Sequence, residues 1–228
     1  MAYTELHTAA LRLVHVNRPS DRDMDYLTRE FHLTPTDTEA ILGVAEQNSI
    51  SQTDAYRRLT IQWPMPTRRG IVLTDVHCLV GSGWVAVIDH GNFPAAQELI
   101  QELQNVPAER LWQDGPMMML YELWRRAIRD LQNFDHALGS AQLLSFVRTR
   151  TAVGETLKHF AESSPSTSDH DDVVRGFSFL AFTLSHVNPA GARAPVMATS
   201  KLPITVRGYA AVSTAVAVLT LIVISRTL

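Results

Sequence analysis

Carboxylate and imidazole side chains are concentrated at two places in the sequence. Asp75 and His77 lie two residues apart in an apolar run that favours a β-strand, so both side chains are expected on one face of that strand. Asp89 and His90 end the next apolar run. These types are ligands of transition metals, and they indicate a candidate metal site between two neighbouring strands. The alternative is a set of polar residues on the solvent face of an antiparallel sheet.

A denser acidic group, Asp169-His-Asp-Asp172, lies further along the chain. The carboxylates of Asp169, Asp171 and Asp172 suit Mg²⁺, which keeps most of its waters and takes only one or two protein oxygens. The alternative is a helix start, in which Asp169 is the N-cap and the other two favour the positive end of the helix dipole. Mg²⁺ or another divalent cation is therefore the one cofactor that the residues suggest.

No familiar catalytic motif accompanies these groups. The sequence holds no Gly-x-Ser-x-Gly, no Walker loop and no Gly-x-Gly-x-x-Gly. Cys78, the single cysteine, excludes an intrachain disulfide and is expected to be a small buried residue of a strand. The net charge is −3 and no basic stripe is present, which argues against nucleic acid as a partner. We therefore expect a protein that is not an enzyme.

The elements that must position these residues begin with an α/β domain over residues 1–110. Alternating apolar patterns predict strands, and the turn Gly81-Ser-Gly83 predicts an antiparallel hairpin. Ser20 followed by Asp23 predicts a capped helix start. The fold class expected is α/β, a mixed sheet flanked by helices. The predicted strands are 11–16, 56–63 (ended by Pro64 and Pro66), 71–80 and 84–88, and the predicted helices begin at Ser20, Thr34 and Phe93.

Residues 111–187 predict a helical region. Apolar residues recur at spacings of three and four from Met117 to Leu138, after the start Asp114-Gly-Pro116. Two further amphipathic stretches follow, one from Gly139 to Phe160 and one from Asp169 to His186. The polar segment 163–168 predicts a loop between them. Residues 188–207 predict a broken linker, which contains Pro189, Pro195 and Pro203.

Residues 208–225 predict one C-terminal transmembrane helix. The segment carries no charge, and as a helix it is about 27 Å long, close to the hydrocarbon thickness of a bilayer. The alternative is a buried core helix or strand. Ala211 and Ala215 are small residues four apart, which favours close helix packing in lipid. The span begins at Gly208 and Tyr209 and ends at Ser225.

The basic residues around this span predict its orientation. Arg193, Lys201 and Arg207 precede the span, and Arg226 follows it. Because basic residues accumulate on the cytoplasmic side of a membrane, the N-terminal domain is expected in the cytoplasm. The expected localisation is a single-pass membrane protein.

Five short segments of the sequence, taken in their order along the chain, resemble the cytoplasmic domain of the CorA family of magnesium and divalent-cation transporters. They cover roughly residues 11–160, and they are His15-Val-Asn-Arg-Pro-Ser-Asp21, Leu27-Thr-Arg-Glu-Phe-His-Leu-Thr-Pro35, Tyr56-Arg-Arg-Leu-Thr-Ile-Gln-Trp-Pro64, Gly83-Trp-Val-Ala-Val-Ile-Asp-His90 and Asp114-Gly-Pro-Met-Met-Met-Leu-Tyr-Glu-Leu123. The resemblance implies an α/β domain, long helices and a pentameric assembly. It also implies the membrane as a partner, and either a homo-oligomer or assembly with full-length CorA-like subunits.

The sequence departs from that family where the family conducts ions. CorA-like transporters carry a Gly-Met-Asn signature after an unbroken stalk helix, and neither occurs here. The chain therefore resembles a truncated or degenerate relative. Three functions stay open: a membrane-anchored protein associated with magnesium or divalent-cation transport, as a subunit, accessory or degenerate homologue; a tail-anchored scaffold without ion transport; and a soluble cation sensor whose apolar tail is a core strand.

Overall fold

The structure, a computed structural model, describes residues 3–7, 11–67, 70–91, 93–104, 115–132, 140–164 and 170–185. They form a six-stranded sheet and six α-helices within the unit Met1–Val187. The strands are β1 (Tyr3–His7), β2 (Arg12–Asn17), β3 (Ser49–Gln52), β4 (Tyr56–Thr67), β5 (Gly70–Gly81) and β6 (Trp84–Asp89). The helices are α1 (Asp21–Phe31), α2 (Pro35–Leu42), α3 (Pro94–Gln104), α4 (Gly115–Gln132), α5 (Ser140–Glu162) and α6 (His170–Ser185).

The sheet is mixed, as its sequence pattern predicts. Its strand order is β1-β2-β6-β5-β4-β3; β2 and β6 are parallel, and the other neighbouring pairs are antiparallel. The predicted β5–β6 hairpin is present, with Gly81 opposite Trp84 and Gly83 at φ 79 in its turn. Because β2 and β6 pair, residues 12–17 lie beside residues 84–89 at the centre of the sheet.

Local capping signals fix the starts of α1 and α2. The Ser20 hydroxyl accepts the backbone N–H of Asp23 at 3.4 Å, and the Asp23 carboxylate accepts the backbone N–H of Ser20 at 3.0 Å. Thr34 accepts the N–H of Asp37 at 3.1 Å, with proline in the first turn of α2. Both arrangements satisfy N–H groups that a helix start leaves without a partner.

Helix α1 covers one face of the sheet with its apolar stripe. Because side chains alternate along a strand, Val14, Leu79 and Ile88 share this face and are all fully buried. The core there also contains Val16, Met24, Leu27, Phe31, Leu33, Ile41, Tyr56 and Ala86. The apolar residues of α1 are three and four positions apart, so they lie on one side of the helix and are buried together against the sheet.

The opposite face packs against the later helices. The rings of Trp63, Phe93 and Trp124 form a cluster with centroids 5.3–5.8 Å apart, which joins β4 to the start of α3 and to α4. Helices α5 and α6 approach closely at Gly154, where an added Cβ would lie 3.0 Å from the Cα of Ala181. The described part of the unit Met1–Val187 is therefore a layered α/β structure, with the later helices on the sheet face opposite α1.

The prediction that Pro64 and Pro66 end their strand is wrong. Strand β4 continues to Thr67, and both prolines are paired with residues of β5. On the other side of β4, strand β3 pairs only as far as Thr60. Among the described strands, none pairs with this edge of β4 at the two prolines, so the N–H groups that proline lacks are not needed for a strand hydrogen bond there. Proline is tolerated at an unpaired edge for this reason. The short strands β1 and β3 have no counterpart among the predicted elements.

Residues 186–228 lie outside the described part of the chain, and with them the predicted linker 188–207 and the predicted transmembrane helix 208–225. Among the helices that the structure describes, none combines the length and the apolar character needed to cross a bilayer. The domain boundaries and the single-pass topology stay predictions.

Candidate functional site

Asp75 and His77 lie on β5, on the sheet face that also packs against α1. They are opposite Gln62 and Thr60 of β4, and only 8% and 1% of their surfaces are exposed. The alternative in which these polar residues belong to the solvent face of the sheet is therefore wrong. Helices α1 and α2, which are distant from β5 in the sequence, cover this face and exclude water from it.

The Asp75 carboxylate holds the segment that follows α2. Its Oδ2 accepts the backbone N–H of Ala45 at 2.8 Å. The neighbouring Gln62 donates its amide to the Ala45 carbonyl at 2.6 Å. A buried carboxylate is stable when its oxygens accept hydrogen bonds in this way. Asp75 thus has a local structural role.

His77 is a neutral, buried imidazole. Its Nδ1 lies 3.1 Å from the Thr60 hydroxyl, and its Nε2 is buried without a hydrogen-bond partner. Burial lowers the pKa of His77 to about 3, and the electrostatic interactions with His90 and Arg58 act in the same direction. The His90 ring lies at a right angle to the His77 ring with centroids 5.7 Å apart, and its Nε2 is 2.6 Å from the carbonyl oxygen of Ile41, to which it donates.

An unprotonated nitrogen and a nearby carboxylate are a partial donor set for a metal ion. Within the described ranges, however, no three His, Cys, Asp or Glu residues are placed together so that they could hold one. Asp75 and His77 acquire no third ligand there, and their metal role stays a prediction.

Of the acidic group near α6, two members are described. Asp171 and Asp172 lie in the first turn of α6, where negative charge is favourable at the positive end of the dipole. Asp171 is exposed, and Asp172 forms an ion pair with Arg175 one turn later. Asp169 lies outside the described residues, as do the predicted span residues Gly208, Tyr209, Ala211, Ala215 and Ser225.

Residues around Asp89 form a polar cluster that sequence reasoning missed. Asp89 is fully buried at the end of β6, and its carboxylate lies 2.7 Å from both His15 Nε2 and the Asn17 amide. The backbone N–H of Gly91 donates to it at 3.2 Å. His15 and Asn17 are more than 70 positions from Asp89 in sequence, and they meet it because β2 and β6 run parallel. No local pattern signals this contact.

A second missed cluster surrounds the adjacent arginines of β4. Arg58 pairs with Asp37 of α2 at 2.9 Å, and the Tyr56 hydroxyl donates to the same carboxylate. Burial, and then the hydrogen bond to Asp37, raise the pKa of the Tyr56 hydroxyl. Arg57 points to the opposite face and contacts the end of α5. Alternation along β4 thus sends two neighbouring cations to two different layers.

Comparisons with known proteins identify the fold. Neither a family model nor a curated protein matches the chain. Its structure is similar to the soluble domain of CorA from Methanocaldococcus jannaschii, with a TM-score of 0.62 and 10% identity over 77% of this chain and 81% of that one. It is similar to the complete CorA magnesium transporter of the same organism, with a TM-score of 0.58 and 11% identity over 77% and 64% of the two chains. It also resembles the full-length CmaX protein, with a TM-score of 0.54 and 9% identity over 76% and 63%.

These similarities establish a CorA-like cytoplasmic domain fold and confirm that part of the resemblance. At identities of 9–11% they carry the fold alone. The chain spans slightly less than two thirds of the two full-length proteins.

Proposed function

We propose that the chain is a membrane-anchored CorA-like protein associated with magnesium or divalent-cation transport, without enzymatic activity of its own. It acts as a subunit, an accessory or a degenerate homologue. The observation that carries this proposal is the similarity to the CorA soluble domain, at a TM-score of 0.62 over 77% of the chain. The five sequence segments quoted above support it independently, because they depend on residue types and not on the fold.

Two features of the sequence limit what the chain is expected to do alone. Residues 1–228 contain no Gly-Met-Asn, and three prolines interrupt the segment between α6 and the apolar stretch 208–225. Proline removes a backbone donor and breaks a continuous helix, so a movement of the soluble domain would not pass rigidly to the membrane. We therefore expect a homo-oligomer held weakly by the soluble part, or assembly with full-length CorA-like subunits, and no autonomous ion flux.

Mg²⁺ or another divalent cation is the ligand that we propose. Asp169, Asp171 and Asp172 are the candidate ligands; of the two that the structure describes in the first turn of α6, Asp171 is exposed, and an exposed carboxylate is compatible with a hydrated ion. Asp172 already pairs with Arg175, so a cation at this position has to compete with that pair. Binding is therefore expected to be weak and sensitive to ionic strength.

Thermal unfolding in magnesium tests the cation part of the proposal. A ligand that binds only the folded state raises the free energy of unfolding by about 2.7 kcal/mol at a concentration of 100 times its Kd. We expect millimolar MgCl₂ to raise the thermal midpoint above that in NaCl of equal ionic strength. Replacing Asp171 and Asp172 by asparagine should abolish the difference, whereas replacing the exposed Asp54 should not. A midpoint that does not respond to magnesium would favour the scaffold function.

Membrane fractionation tests the anchor. An arginine at the centre of a transmembrane helix opposes insertion by about 2.5–3.5 kcal/mol. Val216→Arg should therefore move the chain from the membrane to the soluble fraction, while the matched Val216→Leu should stay in the membrane. Recovery of the unmodified chain in the soluble fraction would support a soluble sensor and contradict the anchor.

Reconstitution separates the transport roles. Liposomes that contain this chain alone should show no magnesium uptake, and light scattering in detergent should reveal the oligomeric state. Robust uptake by the chain alone would contradict the degenerate-homologue part of the proposal.

A further inference from the structure

Arg57 lies in an environment unlike that of the neighbouring Arg58. Its side chain is 7% exposed, and its guanidinium carbon lies 4.0 Å from the centre of the Phe160 ring. Its Nη2 donates to the Phe160 carbonyl at 2.6 Å and to the Ser163 hydroxyl at 2.6 Å. Its Nη1 donates to the Ser164 hydroxyl. Arg57 thus joins β4 to the end of α5 and to the two serines that follow it.

All of these acceptors are neutral. Arg58 pairs with the Asp37 carboxylate, but no carboxylate among the described residues forms an ion pair with Arg57, and its Nε is buried without a partner. Burial lowers the pKa of the Arg57 guanidinium. A buried cation without a counter-charge is destabilising, so this position favours an anion.

Ser163 is the exposed hydroxyl closest to that cation. It follows the end of α5 and precedes the polar segment 165–168, which its composition predicts to be a loop. The hydroxyl donates to the His159 carbonyl at 2.8 Å, and its oxygen accepts from Arg57. One side of the residue is therefore accessible to solvent while its oxygen is already within bonding distance of a guanidinium.

We propose that Ser163 is a phosphorylation site and that Arg57 binds its phosphoryl group. A protein kinase would transfer the γ-phosphoryl group of ATP: the bond between the γ-phosphorus and the bridging oxygen breaks, a bond from the γ-phosphorus to Ser163 Oγ forms, and the hydroxyl proton leaves to a base. ADP is the leaving group. The new charge of about −1.5 to −2 compensates the buried guanidinium, and the phosphoryl oxygens replace the serine oxygen as acceptors.

Arg57 determines whether phosphorylation of Ser163 stabilises or destabilises the fold. The end of α5 presents backbone carbonyls, and a negative group there is unfavourable unless a cation neutralises it. With Arg57 present, phosphorylation should stabilise the fold by tying α5 to β4. Without Arg57, the same group should destabilise it.

The test is a thermal denaturation of the full chain with phosphoserine incorporated at position 163. We expect a rise of about 3 °C in the thermal midpoint for the chain with Arg57, which corresponds to about 1 kcal/mol for a domain of this size. We expect a fall with Arg57→Gln and a smaller rise with Arg57→Lys, which keeps the charge but loses the planar fork. Phosphoserine at the exposed Ser145 of α5 is the matched control, and its effect should not depend on residue 57. An equal shift at position 163 with arginine and with glutamine would overturn the proposal.

Two measurements keep the test decisive if Arg57→Gln does not fold. Phosphorus NMR should show that phosphoserine 163 titrates at a lower pH than phosphoserine 145, because the guanidinium stabilises the dianion; identical titrations would contradict binding by Arg57. Mass spectrometry of the protein from its own cells should find phosphate on Ser163 in the tryptic peptide 159–175. Recovery of only the unmodified peptide would refute the assignment as a modification site.

Discussion

His77 makes the stability of this fold depend on pH in a way that a single substitution can isolate. Burial lowers its pKa to about 3 in the folded protein, whereas an unperturbed histidine has a pKa of 6.5. The unfolded chain therefore binds a proton on His77 at a higher pH than the folded chain does. The contribution of neutral His77 to the free energy of unfolding is fully present above pH 6.5, and it is lost as the pH falls from 6.5 towards 3.

The two pKa values give the size of the effect. At pH 5 the folded imidazole is neutral while most unfolded molecules are protonated, and this difference lowers the free energy of unfolding by about 2 kcal/mol relative to pH 7. The slope approaches about 1.4 kcal/mol per pH unit below pH 6. The imidazole is only 1% exposed, so solvent screens this effect little.

The assay is urea denaturation of the original chain and of His77→Gln at pH 7 and pH 5. Glutamine keeps a polar group near Thr60 but does not titrate, so the variant should lose about 2 kcal/mol less than the original chain between the two pH values. Thr4→Gln, which places the same amide at an exposed position of β1 and removes no titratable group, serves as the control and should leave the pH dependence unchanged. Equal pH dependence of the original chain and His77→Gln would refute the reasoning.

Three further predictions follow from the packing. Gly154→Ala should lower the free energy of unfolding by about 1–3 kcal/mol in urea denaturation, because the new methyl meets the Ala181 backbone at 3.0 Å; an unchanged or higher stability would contradict the close approach of α5 and α6. Ser20→Ala should cost about 1 kcal/mol by the same measurement, since it removes the hydroxyl that caps Asp23, and Ser20→Thr should recover most of the loss. Burial raises the pKa of the Cys78 thiol, so a thiol reagent should modify it only at the rate of unfolding, and rapid reaction in native buffer would show that β5 is exposed.

Features that depend on a few consecutive residues were predicted from the sequence. The capped start at Ser20, the start at Thr34 and the hairpin at Gly81 are all in the structure. Each depends on contacts within a few positions, so the residue types alone specify the geometry. The positions of strands β2, β5 and β6 follow the same logic, since alternation is a local property of the chain.

Features that depend on which elements become neighbours needed the tertiary structure. Pro64 was expected to end β4, yet the strand continues because β3 leaves that edge unpaired. Asp75 and His77 were correctly placed on one face of a strand, but only the packing of α1 and α2 shows that this face is buried.

The same distinction separates the two arginines of β4. The sequence places Arg57 and Arg58 on opposite faces, because side chains alternate along a strand. It does not indicate that Arg58 pairs with the Asp37 carboxylate whereas Arg57 contacts neutral oxygens and the Phe160 ring at the end of α5. Those partners are about 20 and 100 positions away, and the free energy of burying each cation depends on them. Local spacing determines the sheet face to which a side chain points, and the packing of the helices on that face determines which groups it contacts.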